Sequence, residues 1–139
     1  MKGKTVGQIK VGDVETFART ISESDVYLFG GITGDLNPAH TNQVASEKTM
    51  FKGRIAHGML TASYISTILG MYLPGPGTIF LGQECKFLKP VQFGDTITAK
   101  VTATEVNVEK NIVFFDTECV NQDGVKVLSG KATVMPPRE

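Results

Sequence analysis

The sequence predicts an α+β domain in which an antiparallel sheet wraps one long buried helix. Three observations carry this reading. Residues 56–73, AHGMLTASYISTILGMYL, place apolar side chains around nearly the whole helical circumference, as in a helix enclosed on every side. After Gly77 the pattern changes to period two: Ile97, Ala99, Val101 and Ala103 alternate with Thr96, Thr98, Lys100 and Thr102, giving one buried and one wet face. Between the two regions, PGPG at 74–77 stops the helix. At 139 residues the chain reads as a single domain over 1–139, long enough to bury a core without disulfide or metal staples.

Taken in order, VETFART is expected to supply an edge strand. SESDVYLFGGIT opens with Ser22, and Asp25 follows three residues later, a capping-box-like helix start. Val26, Phe29 and Ile32 are expected to share one face, and Gly30, Gly31 and Gly34 weaken the helix end. TNQVASEKTMF predicts a further short helical piece. The long helix is interrupted by Thr61, Ser63, Ser66 and Thr67, and about 18 residues is marginal for a membrane span. Burial is the better reading, each large side chain adding about 1.5–3 kcal/mol before entropy is subtracted. TIFLGQECKFLKPV, GDTITAKVTATEV, NIVFFDTECV and VKVLSGKATVM then read as strands, the last two joined through Asp123-Gly124, a hairpin signal.

Composition excludes several classes of function. Lysine plus arginine and aspartate plus glutamate stand at 14 each, which offers nothing to a nucleic-acid backbone. With 41% apolar and 20% charged residues the chain is not disordered. MKGKTVGQIKVGD has no apolar segment, so no signal peptide is expected, and no membrane association either. Cys85 and Cys119 form neither a disulfide framework nor a CxxC site. Both are expected as buried reduced thiols in a cytoplasmic protein.

The stretch TGDLNPAH carries the candidate chemistry. Asp35 stands five residues before His40, with Asn37-Pro38 between them. Pro38 biases Asn37 away from helical geometry. A regular helix would aim the two side chains apart, whereas a turn lets them face each other. The bare pattern fits either an acid–base pair or an Asx turn beside a surface histidine. Metal is not expected: His40 and His57 lack H-x-x-x-H spacing. There is no G-x-S-x-G nucleophile elbow and no glycine-rich phosphate loop.

FGGITGDLNPAH, followed by GRIAHGML at the start of the long helix and by PGPGTIFLGQECKFLKPVQFGD, resembles the MaoC-like (R)-specific enoyl-CoA hydratases of hot-dog fold. The resemblance runs over roughly 11–135, and Ala39 departs from it where the family has a larger branched residue. It implies that Asp35 and His40 are the catalytic acid–base pair, with Asn37 and Pro38 shaping the turn. The chemistry agrees, because hydration of a 2,3-enoyl thioester needs a water deprotonated as it attacks C3 and a proton delivered to C2. It also implies that the backbone N–H of Gly58, unpaired in the first turn of the helix, faces the thioester carbonyl, and that Ser66, about two turns on, lies in the site. There Ser66 can hold Asp35, or it can bond its own backbone carbonyl. His57 is expected as a structural or lining group rather than a second base.

The implied reaction adds water to trans-2-enoyl-CoA, giving (R)-3-hydroxyacyl-CoA without a cofactor. The rivals are a hot-dog acyl-CoA thioesterase, an acyl-carrier-protein dehydratase and a non-catalytic acyl-CoA binder. TIFLGQECKFL is apolar on both faces, and that excess, together with the resemblance, predicts a homodimer.

Overall fold

The alternation in β3 (Thr96–Asn107) turns Ile97, Ala99, Val101 and Ala103 to one side, where none is more than 1% exposed. The computed structural model describes residues 2–139. In it β3 lies between β1 (Val14–Thr20) and β4 (Ile112–Val120), and β5 (Lys126–Met135) and β2 (Ile79–Phe87) complete the sheet. The order is β1-β3-β4-β5-β2, with every neighbouring pair antiparallel. VETFART is β1, an edge strand as expected. Asp123-Gly124 closes the β4–β5 hairpin, with Gly124 at φ 74°.

The helices are α1 (Glu23–Thr33), α2 (Pro38–Thr41), α3 (Gln43–Glu47) and α4 (Gly58–Met71). Ser22 caps α1: its hydroxyl accepts the Asp25 N–H at 3.1 Å, and the Asp25 carboxylate accepts the Ser22 N–H at 3.1 Å. The Arg19 guanidinium holds the Asp25 carboxyl below the usual carboxylate range. The buried face of α1 is Val26 and Gly30, one turn apart, while Ile32 is 75% exposed. The expected Val26–Phe29–Ile32 face is therefore corrected at its third member, which the 100° step per residue carries off the stripe.

α4 packs on the concave face of the sheet through Ala62, Tyr64, Ile65, Ile68 and Leu69. It is not enclosed all round. Met59, Met71, Ser63 and Ser66 are exposed, because one curved sheet covers only one side of a helix. Cys119 is buried, which pushes its thiol up to about 12, whereas Cys85 is only half-buried and so departs from expectation. A bulge between Phe80 and Gly82 in β2 shifts the pleat. That explains how one strand shows apolar residues on both faces.

Gly130 in β5 leads to a stability prediction. A Cβ there would run into the backbone carbonyl of Glu84 on β2, which no rotamer change can relieve. Gly130→Ala is expected to cost at least about 1–3 kcal/mol, the range for overpacking, read as a lowered urea midpoint. An unchanged midpoint would mean that β2 slides freely on β5.

Candidate active site

The Asp35–His40 turn is built from interlocking side-chain bonds. Gly34 takes a left-handed backbone (φ 84°) and donates its N–H to Gly30, ending α1. Asp35 Oδ1 accepts the Asn37 N–H at 3.3 Å, and Asn37 Oδ1 accepts the Ala39 N–H at 3.0 Å. The second bond caps α2, whose first residue is Pro38. An Asx turn is thus present, but the histidine that follows is not on the surface: His40 is 9% exposed. The same turn spends one carboxylate oxygen on structure and leaves the other to solvent.

His40 Nδ1 lies 2.7 Å from the Ile55 carbonyl. A carbonyl only accepts, so Nδ1 carries the hydrogen and Nε2 keeps a free lone pair. Ile55 is itself held, donating its N–H to Ala39 at 3.0 Å, while Ala56 donates to Val91 at 2.8 Å. Arg54 anchors this segment from outside, reaching Glu23 at 2.6 Å, Tyr27 Oη at 2.9 Å and Gln43 at 3.0 Å. Its guanidinium also lies 4.8 Å over the Phe93 ring.

One oxygen of Asp35 and one ring nitrogen each of His40 and His57 lie within 4.8 Å of one another. No direct side-chain hydrogen bond joins Asp35 to His40 among the described residues, and the span leaves room for one bridging water. These three are the only described cluster of metal-type donors, and the fit to a cation is poor. The two imidazoles stack at 3.8 Å with 30° between their planes, so their in-plane lone pairs do not converge on a point about 2 Å from both.

Gly58, the first residue of α4, has an N–H with no intrahelical acceptor. Beside it opens a cleft of about 490 Å³ whose lining includes Asp35, His40, His57 and Gly58, with Met50, Phe51, Leu88 and Val127 as apolar wall. The space a Gly58 side chain would occupy holds the Phe87 ring, with Cε1 2.7 Å from an ideal Cβ. Phe87 and the buried, unpartnered hydroxyl of Thr61 were not expected at the site. No motif announces them, because β2 and the second turn of α4 meet the turn only in three dimensions.

Ser66 is not brought to Asp35. It is exposed, lies outside the cleft lining and makes no side-chain hydrogen bond among the described residues; the Asn37 N–H holds the carboxylate instead. A larger hollow of about 680 Å³ sits elsewhere, on the outer face of the sheet. Three of its charges form one network, Lys100 and Lys126 both reaching Glu118, at 2.7 and 3.0 Å, and it contains none of the Asp35, His40 and Gly58 set.

Residues 8–124 match the MaoC like domain family. An (R)-specific enoyl-CoA hydratase of Rhodospirillum rubrum is 53% identical over 129 residues, covering 93% of this chain and 89% of that protein. A 3-hydroxybutyryl-CoA dehydratase of Methylorubrum extorquens is 40% identical, with 94% and 83% covered. Among solved structures, the R-hydratase PhaJ1 of Pseudomonas aeruginosa in its unliganded form superposes with a TM-score of 0.93 at 39% identity, over 99% of this chain and 88% of that one.

Proposed function

The chain belongs to the MaoC-like domain family, and on that premise we propose that it hydrates trans-2-enoyl-CoA with Asp35 and His40 as the acid–base pair. It is an (R)-specific enoyl-CoA hydratase, a hydro-lyase of hot-dog fold. The observation that carries the residue assignment is the fixed His40 ring: Nδ1–H is spent on Ile55, so Nε2 meets the cleft as an acceptor.

With both groups acting as acceptors, a water between them donates one hydrogen to the Asp35 carboxylate and one to His40 Nε2. Its lone pair is left for C3. As the new C–O bond forms, the C2–C3 π electrons move onto the thioester oxygen. The Gly58 N–H, at the positive end of α4, stabilises that enolate-like oxygen. The proton removed from the water then goes to C2, so the pair supplies no proton of its own and ends as it began. Asp35 and His40 each contribute about 10²–10⁴-fold in this scheme.

The test is loss of the enoyl-thioester absorbance with crotonyl-CoA and longer homologues, with free thiol followed in parallel and the product resolved chirally. Absorbance loss without thiol gives hydration. Thiol release without it gives a thioesterase, and activity only on carrier-protein thioesters moves the substrate to that class. The two unpaired thiols suit a reducing cytoplasm. No helix among the described residues is long and apolar enough to cross a membrane.

We also propose a homodimer. Ile79, Leu81, Phe87 and Leu88 on or beside the edge strand β2 are exposed, as are Met59 and Met71 on α4. Ser66 falls on the same uncovered stripe of α4 as Met59 and Ser63, where a second chain would meet it. Light scattering is expected to give about twice the 15.0 kDa chain mass. A fully active monomer at micromolar concentration would overturn this assembly.

A further inference from the structure

We infer that His57 is a positioning residue for the hydration, holding Asp35 against His40 through the Asp35 backbone. The inference rests on the acid–base reading above and goes beyond it. His57 is 2% exposed and its Nε2 lies 2.8 Å from the Asp35 carbonyl. The carbonyl only accepts, so His57 is the Nε2–H tautomer and donates to the main chain of the turn that carries the base. Its ring is packed by two other rings. His40 stacks on it at 3.8 Å, and the Phe29 ring from α1 lies tilted at 58° with its centroid 4.9 Å away. One buried imidazole thus touches both halves of the acid–base pair and stands next to Gly58 at the head of α4.

A second observation shows a backbone made to fit this contact. Gly30 in α1 has no side chain where the turn approaches: an ideal Cβ would lie 3.0 Å from Leu36 Cδ2, 3.1 Å from the Asp35 carbonyl oxygen and 3.8 Å from His57 Cε1. Gly30 therefore leaves the turn room to present its carbonyl to His57. The carboxylate is exposed and, among the described residues, has only the long 3.3 Å bond from Asn37 to steady it, so its direction depends on the main chain beneath it. Releasing the carbonyl lets the Asp35 carboxylate swing from His40 while the Gly58 N–H stays in place. The loss then falls on turnover rather than on substrate binding, since small misplacement of a reacting group costs up to about 10²-fold.

The experiment compares His57→Phe, which keeps the stacked ring but removes the donor, with His57→Gln, whose amide N–H reaches the Nε2 position. Asp35→Asn serves as control, with kcat and KM for crotonyl-CoA and the melting temperature measured for each. Phe is expected to lower kcat about 10–100-fold with KM within about threefold, and Gln to recover most of that loss. A folded Phe variant within twofold of wild-type kcat overturns the inference, as does a Gln variant no better than Phe. If Phe does not fold, His57→Asn, too short to reach the carbonyl, takes its place against Gln. Turnover retained by Asp35→Asn would instead sink the acid–base reading, so the two failures are told apart.

Discussion

Asp35→Asn is expected to lose about 10²–10⁴-fold in kcat with almost no change in melting temperature. Asparagine keeps a carbonyl oxygen where Asp35 Oδ1 accepts the Asn37 N–H, so the turn survives. The residue is exposed and pairs with no cation among the described residues, so removing its charge costs the fold little. What disappears is the carboxylate that shares the water with His40, because a neutral amide does not take its proton. His40→Ala should be as inactive but not as silent. It removes the Nδ1–H bond to Ile55 and the stack on His57, leaving a half-buried carbonyl without its partner at up to about 1–3 kcal/mol. Steady-state hydration of crotonyl-CoA together with thermal melts checks both variants. Near-wild-type turnover in each would show that neither residue is the base.

Gly58→Ala is expected to fold and to lose rate, up to about 10²–10³-fold if the oxyanion contact is broken. The Gly58 backbone does not sit in the left-handed region, so alanine is not strained there by its dihedrals. The obstacle is Phe87, whose ring atoms lie 2.7 and 2.8 Å from an ideal Cβ. Phe87 is 53% exposed in the single chain and stands at the proposed dimer contact, so its ring can shift without unpacking this chain's core. Glycine here has two physical explanations, room for the thioester and room for Phe87. The double variant Gly58→Ala with Phe87→Ala separates them. Persisting slowness means that the methyl group obstructs the thioester, which is the expected result. Recovery to wild-type rate would assign the glycine to packing alone.

Much of this could be read from residue order because it is local. The Ser22–Asp25 cap, the Gly34 stop, the Asn37-Pro38 turn, the β3 alternation and the Asp123-Gly124 hairpin each depend on residues a few positions apart. Their geometry follows from dihedral preference and side-chain period. The proximity of Asp35 and His40 belongs with them, since the turn between them is specified by its own Asx and proline chemistry. The family was legible for the same reason: its signature is contiguous.

The differences between spacing and structure have a common cause. The apolar circumference of α4 predicts enclosure, but how much of a helix is covered depends on how far a sheet curves around it, and one chain supplies only one side. Helical spacing groups Ile32 with Val26 and Ser66 with Gly58, yet which face is inside is decided by what packs there. The tautomer of His40, the bond from His57 to the Asp35 carbonyl and the Phe87 ring over Gly58 join residues 15, 22 and 29 positions apart. Sequence by itself determined which groups are present and the local bends that hold them. Only the tertiary structure decided which lone pair each imidazole offers, because a ring nitrogen is made donor or acceptor by the carbonyl it meets, and that carbonyl arrives from another part of the chain.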